Sequence, residues 1–372
     1  MTRVLFCTGD VVGIPTGGGQ VTKNEIEALA AAFTKVIVLG RNELRPWQYQ
    51  GHDIPFLDDF FALAKTKGEL FDLVHVYSGT FSQTIAYHKE QGSRITVTCP
   101  AHDRRESISE FQVLGLSYPH PHIQDDYLWG LMKQGLLWAD TVIAPSSLSK
   151  RFLEAEGCKN VEIIPHGHGV PMDGDAPPFP SEFRVGYLGA VGPDKGVIYL
   201  IRAWGGRVGG GGDLVLAGAG TEALEPLIRR EVDGGRFVLL GHVPSVADFF
   251  KQVSVYVQPS VSESFGIEVL EAMAHGRPVV VSDGAGASDV VRDGVDGFVV
   301  PSRNPEEIAL KIAMLQEEPE LLASMGKAAY EHAKGFTWER VKRQYVELFR
   351  RLHAPVLPSV KPTQFVGGPR DG

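Results

Sequence analysis

The 372-residue chain carries 36 Lys and Arg against 45 Asp and Glu, a net charge of −9, without the basic excess of a nucleic-acid binder. One hydrophobic core rarely serves a chain of this length, so two domains are expected. Cys7, Cys99 and Cys158 lie far apart with no CxxC spacing, which reads as buried thiols in a reducing compartment.

In chain order, short apolar runs alternate with helical patterns, the signature of parallel sheets built from βαβ units. Val4–Cys7, Val36–Leu39, Leu73–Val76, Ile95–Thr98, Thr141–Ala144 and Val161–Ile164 are predicted strands, with a helix over Lys23–Phe33. Residues 170–181 hold four prolines in twelve positions without periodicity and read as a linker. The alternation then restarts, with strands predicted at Arg184–Leu188, Leu214–Ala217, Phe237–Leu240, Val253–Gln258, Val279–Ser282 and Phe298–Val300. Trp338, Val341, Tyr345, Leu348 and Leu352 recur every three or four residues, an amphipathic helix. The expected division is 1–170, a linker at 171–182, 183–335, a helix over 336–353 crossing back to the first domain, and a disordered tail at 354–372. The fold class is α/β: two Rossmann-like doubly wound domains facing across a cleft, with ligands at the carboxyl ends of strands.

The most informative stretch follows Gln258. A loop carries Glu263, a helix begins near Gly266, and Glu271 lies inside it. Eight helical steps span about 12 Å, the scale of a nucleotide sugar from hexose to ribose. Amides at the helix start, at Gly266 and Ile267, would cradle a diphosphate between the two carboxylates. The competing reading makes Glu263 a helix cap and Glu271 a solvated surface charge, and spacing alone does not separate the two.

Glu263 and Glu271, with seven residues between them, followed by Ala272-Met-Ala-His-Gly-Arg-Pro-Val-Val, resemble the E-x7-E motif of glycosyltransferase family four. Leu188-Gly-Ala-Val-Gly-Pro-Asp-Lys-Gly-Val, Leu216-Ala-Gly-Ala-Gly-Thr, Leu240-Gly-His-Val-Pro, Gly284-Ala-Gly-Ala-Ser-Asp-Val-Val and Asp293-Gly-Val-Asp-Gly-Phe-Val-Val-Pro are similar to further family segments in the same order. The resemblance implies a GT-B fold and a retaining, metal-independent hexosyltransferase with a nucleoside-diphosphate sugar as co-substrate and no other cofactor. The acceptor would be the hydroxyl of a glycan, a lipid-linked sugar or a small molecule. Glu263 would meet the donor hexose, Glu271 the ribose, Lys195 the diphosphate, Gly266 and Ile267 would offer backbone contacts, and Val243 would lie near the base. Ala190 stands where the family often has an arginine, leaving more of the diphosphate to Lys195.

In the first half, Pro15-Thr-Gly-Gly-Gly-Gln-Val-Thr-Lys-Asn-Glu resembles the family's first glycine-rich loop, placing Gly18 and Gly19 beside the donor. Thr22 and Glu25 have the spacing of a capping box. Thr96-Val-Thr-Cys-Pro-Ala-His102-Asp103 resembles the strand-end His-Asp pair, so His102 would stand beside the donor sugar and the acceptor hydroxyl, the third catalytic candidate with Glu263 and Lys195.

Other patterns carry less. Asp173-Gly-Asp175 mimics a metal-binding DxD but lies in the linker, and His166-Gly-His168 and His120-Pro-His122 lack further ligands, so no metal site is expected. Pro165-His-Gly resembles the family's Pro-Asn-Gly turn. Gly218-Ala-Gly220 suggests a dinucleotide fingerprint, but the next strand ends in Gly241-His242 where an acidic residue is required. Trp129, Leu131, Leu136 and Trp138 read as core and cleft wall, or else as an acceptor- or membrane-facing surface. No run approaches the roughly 20 apolar residues of a membrane helix, and the start lacks a signal-peptide core. A cytoplasmic protein is expected, with peripheral contact at the inner face of a membrane and the oligomeric state left open. The alternatives are a nucleotide-sugar epimerase or phosphorylase of the same fold, and a silent nucleotide-sugar-binding protein.

Overall fold

The computed structural model describes residues 2–8, 17–40, 57–78, 80–101, 103–113, 126–205, 212–232 and 236–353. Two parallel sheets dominate. The first contains β1 (Arg3–Thr8), β2 (Lys35–Leu39), β3 (Leu73–Tyr77), β4 (Arg94–Thr98), β5 (Thr141–Ala144) and β6 (Val161–Ile163), in the order β2-β1-β3-β4-β5-β6. The second contains β7 (Arg184–Leu188), β8 (Asp213–Ala217), β9 (Arg236–Gly241), β10 (Val255–Gln258), β11 (Val279–Ser282) and β12 (Gly297–Val300), in the order β12-β11-β10-β7-β8-β9. Every pairing between these strands is parallel.

The strands are continuous apolar runs because helices cover both faces of each sheet. Leu5, Cys7, Val74 and Val97 pack on one face of the first sheet, Val4, Phe6 and Ile143 on the other. The second sheet repeats the arrangement, with Val185, Leu214 and Val257 on one side and Val215, Tyr256 and Val281 on the other. Each sheet has a reversal of strand order beside β1 or β7, where a crevice forms at the carboxyl ends. Cys7, Cys99 and Cys158 are free and buried.

Two crossings join the lobes. Residues 169–183 run without helix or strand, and the chain returns before helix Trp338–His353. The crossings touch: the His168 amide donates to the Phe336 carbonyl at 3.0 Å and the Trp338 amide to the His168 carbonyl at 3.2 Å. The returning helix buries Trp338, Val341, Tyr345, Leu348 and Phe349 against Val4, Phe6, Val21 and Leu29 of the first lobe. Its apolar stripe is the one visible in the sequence.

Three expectations need revision. Helix Gly17–Ala32 starts earlier than Lys23, so Gly18 and Gly19 form its first turn rather than a free loop. Thr22 is therefore no cap: its hydroxyl donates to the Gly19 carbonyl at 3.2 Å, and Glu25 is buried with a carboxylate oxygen 3.6 Å from the His75 Nε2. The supposed core and cleft wall at Leu136 and Trp138 is only partly core, and the Trp129 side chain lies outside those described. Leu136 is buried, but Leu137 and Trp138 are 46% and 43% exposed. His102, the segment containing His120 and His122, and the tail at 354–372 lie outside the described residues.

Candidate active site

Between the lobes lies a cavity of about 570 Å³. The first lobe contributes Gln20, Tyr77 and Pro100. The second contributes the turn Leu188–Ala190, Lys195, Gly218, Ala219, His242 and Val243, and the run from Glu263 to Glu268 with Glu271. These lie at the carboxyl ends of β3, β4, β7, β8, β9 and β10, in the loops that follow them, and in helices Gly17–Ala32 and Ile267–Ala274.

Lys195 sits at the end of the single turn Pro193–Lys195, closed by Gly196 at φ 65°. A Cβ on Gly196 would lie 2.0 Å from the Pro259 carbonyl oxygen, so the turn presses directly on the loop that follows β10. The Asp194 carbonyl accepts from the amides of Val261 and Ser262 at 2.8 and 3.3 Å. Those contacts place the Lys195 ammonium on the Glu263 carboxylate, to which it donates. Burial alone would lower the lysine's pKa, yet Glu263, assisted by Asp194 and Glu268, holds it above the ordinary value. Lys195 is thus a fixed cation.

Glu263 is anchored through its backbone. Its amide donates to the Gly284 carbonyl and its carbonyl accepts from the Gly286 amide, both at 3.0 Å. It does not cap the helix: Ile267–Ala274 starts after Gly266 at φ 97° with no side-chain cap. That helix start lines the same cavity as the Lys195–Glu263 pair, so uncapped amides and the positive end of the dipole belong to one chamber with the cation.

Glu268 and Glu271, one turn apart on this helix, complete a carboxylate cluster. Burial, then the Glu263 charge, raises the Glu268 pKa, while its own amide and Lys195 pull it back. Burial, then Glu268, carries Glu271 up to about 8. His166 adds an imidazole from the Pro165-His-Gly turn, edge-on to Phe265 with ring centroids 5.2 Å apart. Burial, opposed by Glu263, lowers its pKa to about 4, so it is neutral at pH 7.

The structure therefore gathers Lys195, Val243, Glu263, Gly266, Ile267 and Glu271 around one cavity. Gly18 and Gly19 lie in the helix whose next residue, Gln20, reaches the lining. Sequence reasoning missed Gln20, Tyr77 and Glu268, and weighed His166 as a metal ligand without partners and as part of a turn resembling the family's Pro-Asn-Gly, but not as a cavity residue. The i, i+3 spacing of Glu268 and Glu271 was the available signal. Gly218, weighed as part of a dinucleotide fingerprint, instead lets two turns meet: its Cβ would stand 1.9 Å from the Gly189 carbonyl oxygen. The Tyr187 hydroxyl donates to the Ala190 carbonyl at 2.8 Å, so the position lacking arginine is held by its backbone. Among the described residues no group of three or more His, Cys, Asp or Glu side chains is arranged to hold a metal ion. No helix among them is long and apolar enough to cross a membrane.

Comparisons with known proteins place these features. Residues 182–318 match the family model described as glycosyl transferases group 1, and residues 15–168 match that of glycosyltransferase family 4. A D-inositol 3-phosphate glycosyltransferase of Kribbella flavida is 41% identical over 118 residues, 32% of this chain and 28% of that protein. The Streptomyces griseus protein of the same name is 46% identical over 94 residues, 25% of this chain and 20% of its own. The matched region thus spans only about a quarter of these curated relatives. Among solved structures, a sucrose-phosphate synthase from Thermosynechococcus elongatus superposes with a TM-score of 0.74 at 21% identity, covering 94% of this chain and 99% of that one. Anabaena HepE in complex with UDP-glucose gives 0.68 at 18% identity, covering 94% and 100%. At such identities the likeness shows the two-lobed GT-B fold. With one family model on each lobe and the E-x7-E carboxylates in the cleft between them, the chain belongs to glycosyltransferase family four, the group 1 glycosyltransferases.

Proposed function

We propose that this protein transfers a hexose from a nucleoside-diphosphate sugar to an acceptor hydroxyl with retention of configuration and without a metal ion. The observation that carries the reading is the charged Lys195–Glu263 pair lining one cavity with an uncapped helix start, with Glu271 one turn further on. A leaving nucleoside diphosphate gains negative charge as the glycosidic bond breaks, and preorganised cations and amides stabilise that charge most. Lys195 and the amides at Gly266 and Ile267 bind the diphosphate in this scheme. Glu263 takes the hexose hydroxyls, Glu271 the ribose, and Val243 the base.

In the transfer step the bond from the anomeric carbon to the diphosphate oxygen breaks and its electron pair leaves with the diphosphate. The acceptor oxygen bonds to that carbon from the same face, and its proton passes to the departing phosphate oxygen. The family resemblance alone assigns His102 a place beside the donor sugar and the acceptor hydroxyl. HepE solved with UDP and with UDP-glucose supports a nucleoside-diphosphate donor, and the relatives named for inositol 3-phosphate support a small hydroxylated acceptor. We place the reaction in the cytoplasm.

The test is thermal shift with UDP, GDP, ADP and their common sugar conjugates, on wild type and Glu271→Ala. A ligand that binds only the folded state raises the melting temperature by mass action. One nucleotide should stabilise the wild type, and do so less in the variant. Turnover with that donor should then survive EDTA and give a product with the donor's anomeric configuration. Lack of stabilisation by every nucleotide would overturn the reading; donor turnover without an acceptor would point to an epimerase.

A further inference from the structure

Away from the reacting groups, a second set of polar contacts spans the lobes. Helix Arg104–Val113 of the first lobe follows the strand-end segment containing Asp103, whose carbonyl accepts from the Ser262 hydroxyl at 3.1 Å. One turn further, Glu106 accepts from Arg303 Nη2 at 2.6 Å. Glu110 accepts from two groups of the other lobe: Arg303 Nε, and the Tyr199 hydroxyl at 3.0 Å. Glu110 is only 1% exposed. A buried carboxylate stripped of its partners is costly, and any opening that separates this helix from the second lobe strips it of both.

The two partners have specific positions. Tyr199 lies four residues after Lys195, and its amide donates to the Gly196 carbonyl at 2.9 Å, so the hydroxyl held by Glu110 belongs to the element that continues the Lys195 turn. Arg303 follows β12 with φ 60°, a left-handed conformation that non-glycine residues rarely adopt, and its guanidinium reaches two carboxylates of the opposite lobe.

We propose that Glu110, Arg303 and Tyr199 form an interdomain latch that makes the diphosphate grip depend on closure: seating Glu110 between Tyr199 and Arg303 holds the Lys195 turn in place. All three are positioning residues. The role assigned to the turn rests on the donor-binding reading above, while the latch itself can be tested without any nucleotide.

The experiment is hydrogen exchange and small-angle scattering on the unliganded full chain, comparing wild type with Glu110→Gln and Tyr199→Phe. Amides of residues 194–199 should exchange about tenfold faster in both variants, a loss of about 1.4 kcal/mol of local stability. Strand β11 should keep its wild-type rates, and Glu110→Gln should show a larger radius of gyration. UDP, where it binds wild type, should bind Glu110→Gln about tenfold more weakly. Unchanged exchange in 194–199 with an unchanged radius would overturn the latch. Equal acceleration in 194–199 and β11 would also overturn it, since that is general destabilisation. Should Glu110→Gln fail to fold, Tyr199→Phe, which removes a single hydroxyl, decides alone. UDP failing to bind wild type would overturn the donor reading and leave the exchange result standing.

Discussion

Glu271→Gln offers a direct probe of the carboxylate cluster. In the folded protein Glu271 rises from 4.5 to about 8 through burial and the nearby Glu268. A carboxyl whose folded pKa is raised holds its proton more tightly folded than unfolded. It stabilises the protein fully below pH 4.5, and that contribution fades as pH climbs toward 8. Each pH unit in the window removes about 1.4 kcal/mol, and rounding at the ends leaves about 3 kcal/mol between pH 5 and pH 8. His166, lowered to about 4, works in the opposite sense, contributing stability as pH rises toward 6.5. It is present in both proteins, so the difference between wild type and variant isolates Glu271. Glutamine has no charge to bury, so the variant should gain on wild type by about 3 kcal/mol from pH 5 to pH 8, or roughly 6–12 °C in melting temperature for a domain of this size. Differential scanning fluorimetry across that range, without nucleotide, gives the answer. Parallel pH profiles for the two proteins would refute the raised pKa of Glu271 in the folded protein.

Two further substitutions test the site's construction. Lys195→Ala removes the fixed cation beside Glu263 and should weaken nucleoside-diphosphate binding by on the order of 100-fold while weakening the bare nucleoside little, read by calorimetric titration. Gly218→Ala forces a methyl group to within 1.9 Å of the Gly189 carbonyl at φ 125°. It should destabilise the second lobe by roughly 2–4 kcal/mol in denaturant unfolding, whereas Gly294→Ala, with open space around its Cβ, should cost only the strain of its left-handed φ of 74°, about 1 kcal/mol.

The strands were legible because each is short, apolar and bounded by turns, and all twelve predicted runs overlap strands of the two sheets. The helix start near Gly266 was equally plain, since a loop with small residues leads into Val269, Leu270 and Met273. The Thr22–Glu25 signal misled for a physical reason: inside a helix a threonine hydroxyl bonds back to a carbonyl of the preceding turn, and the sequence pattern is the same as a cap's. Glu268 escaped notice because a carboxylate beside a motif looks like a surface charge until the fold buries it. The contact between Arg303 and Glu110 joins residues 193 positions apart; no local pattern encodes it, as it exists only once both lobes are built and brought together.

The paired crossings between the lobes carry a mechanical consequence. A single strand of linker would act as a swivel, leaving one lobe free to turn about any axis relative to the other. Here the second crossing is stitched to the first by backbone bonds at His168, Phe336 and Trp338, as two pins fix a door to its frame. Swinging about the line through those pins is cheap, whereas twisting across it must tear the stitches or drag the helix behind Trp338 off its lobe. The cleft is thereby given one direction in which to open, and on every return the carboxylates of one lobe meet the same partners on the other.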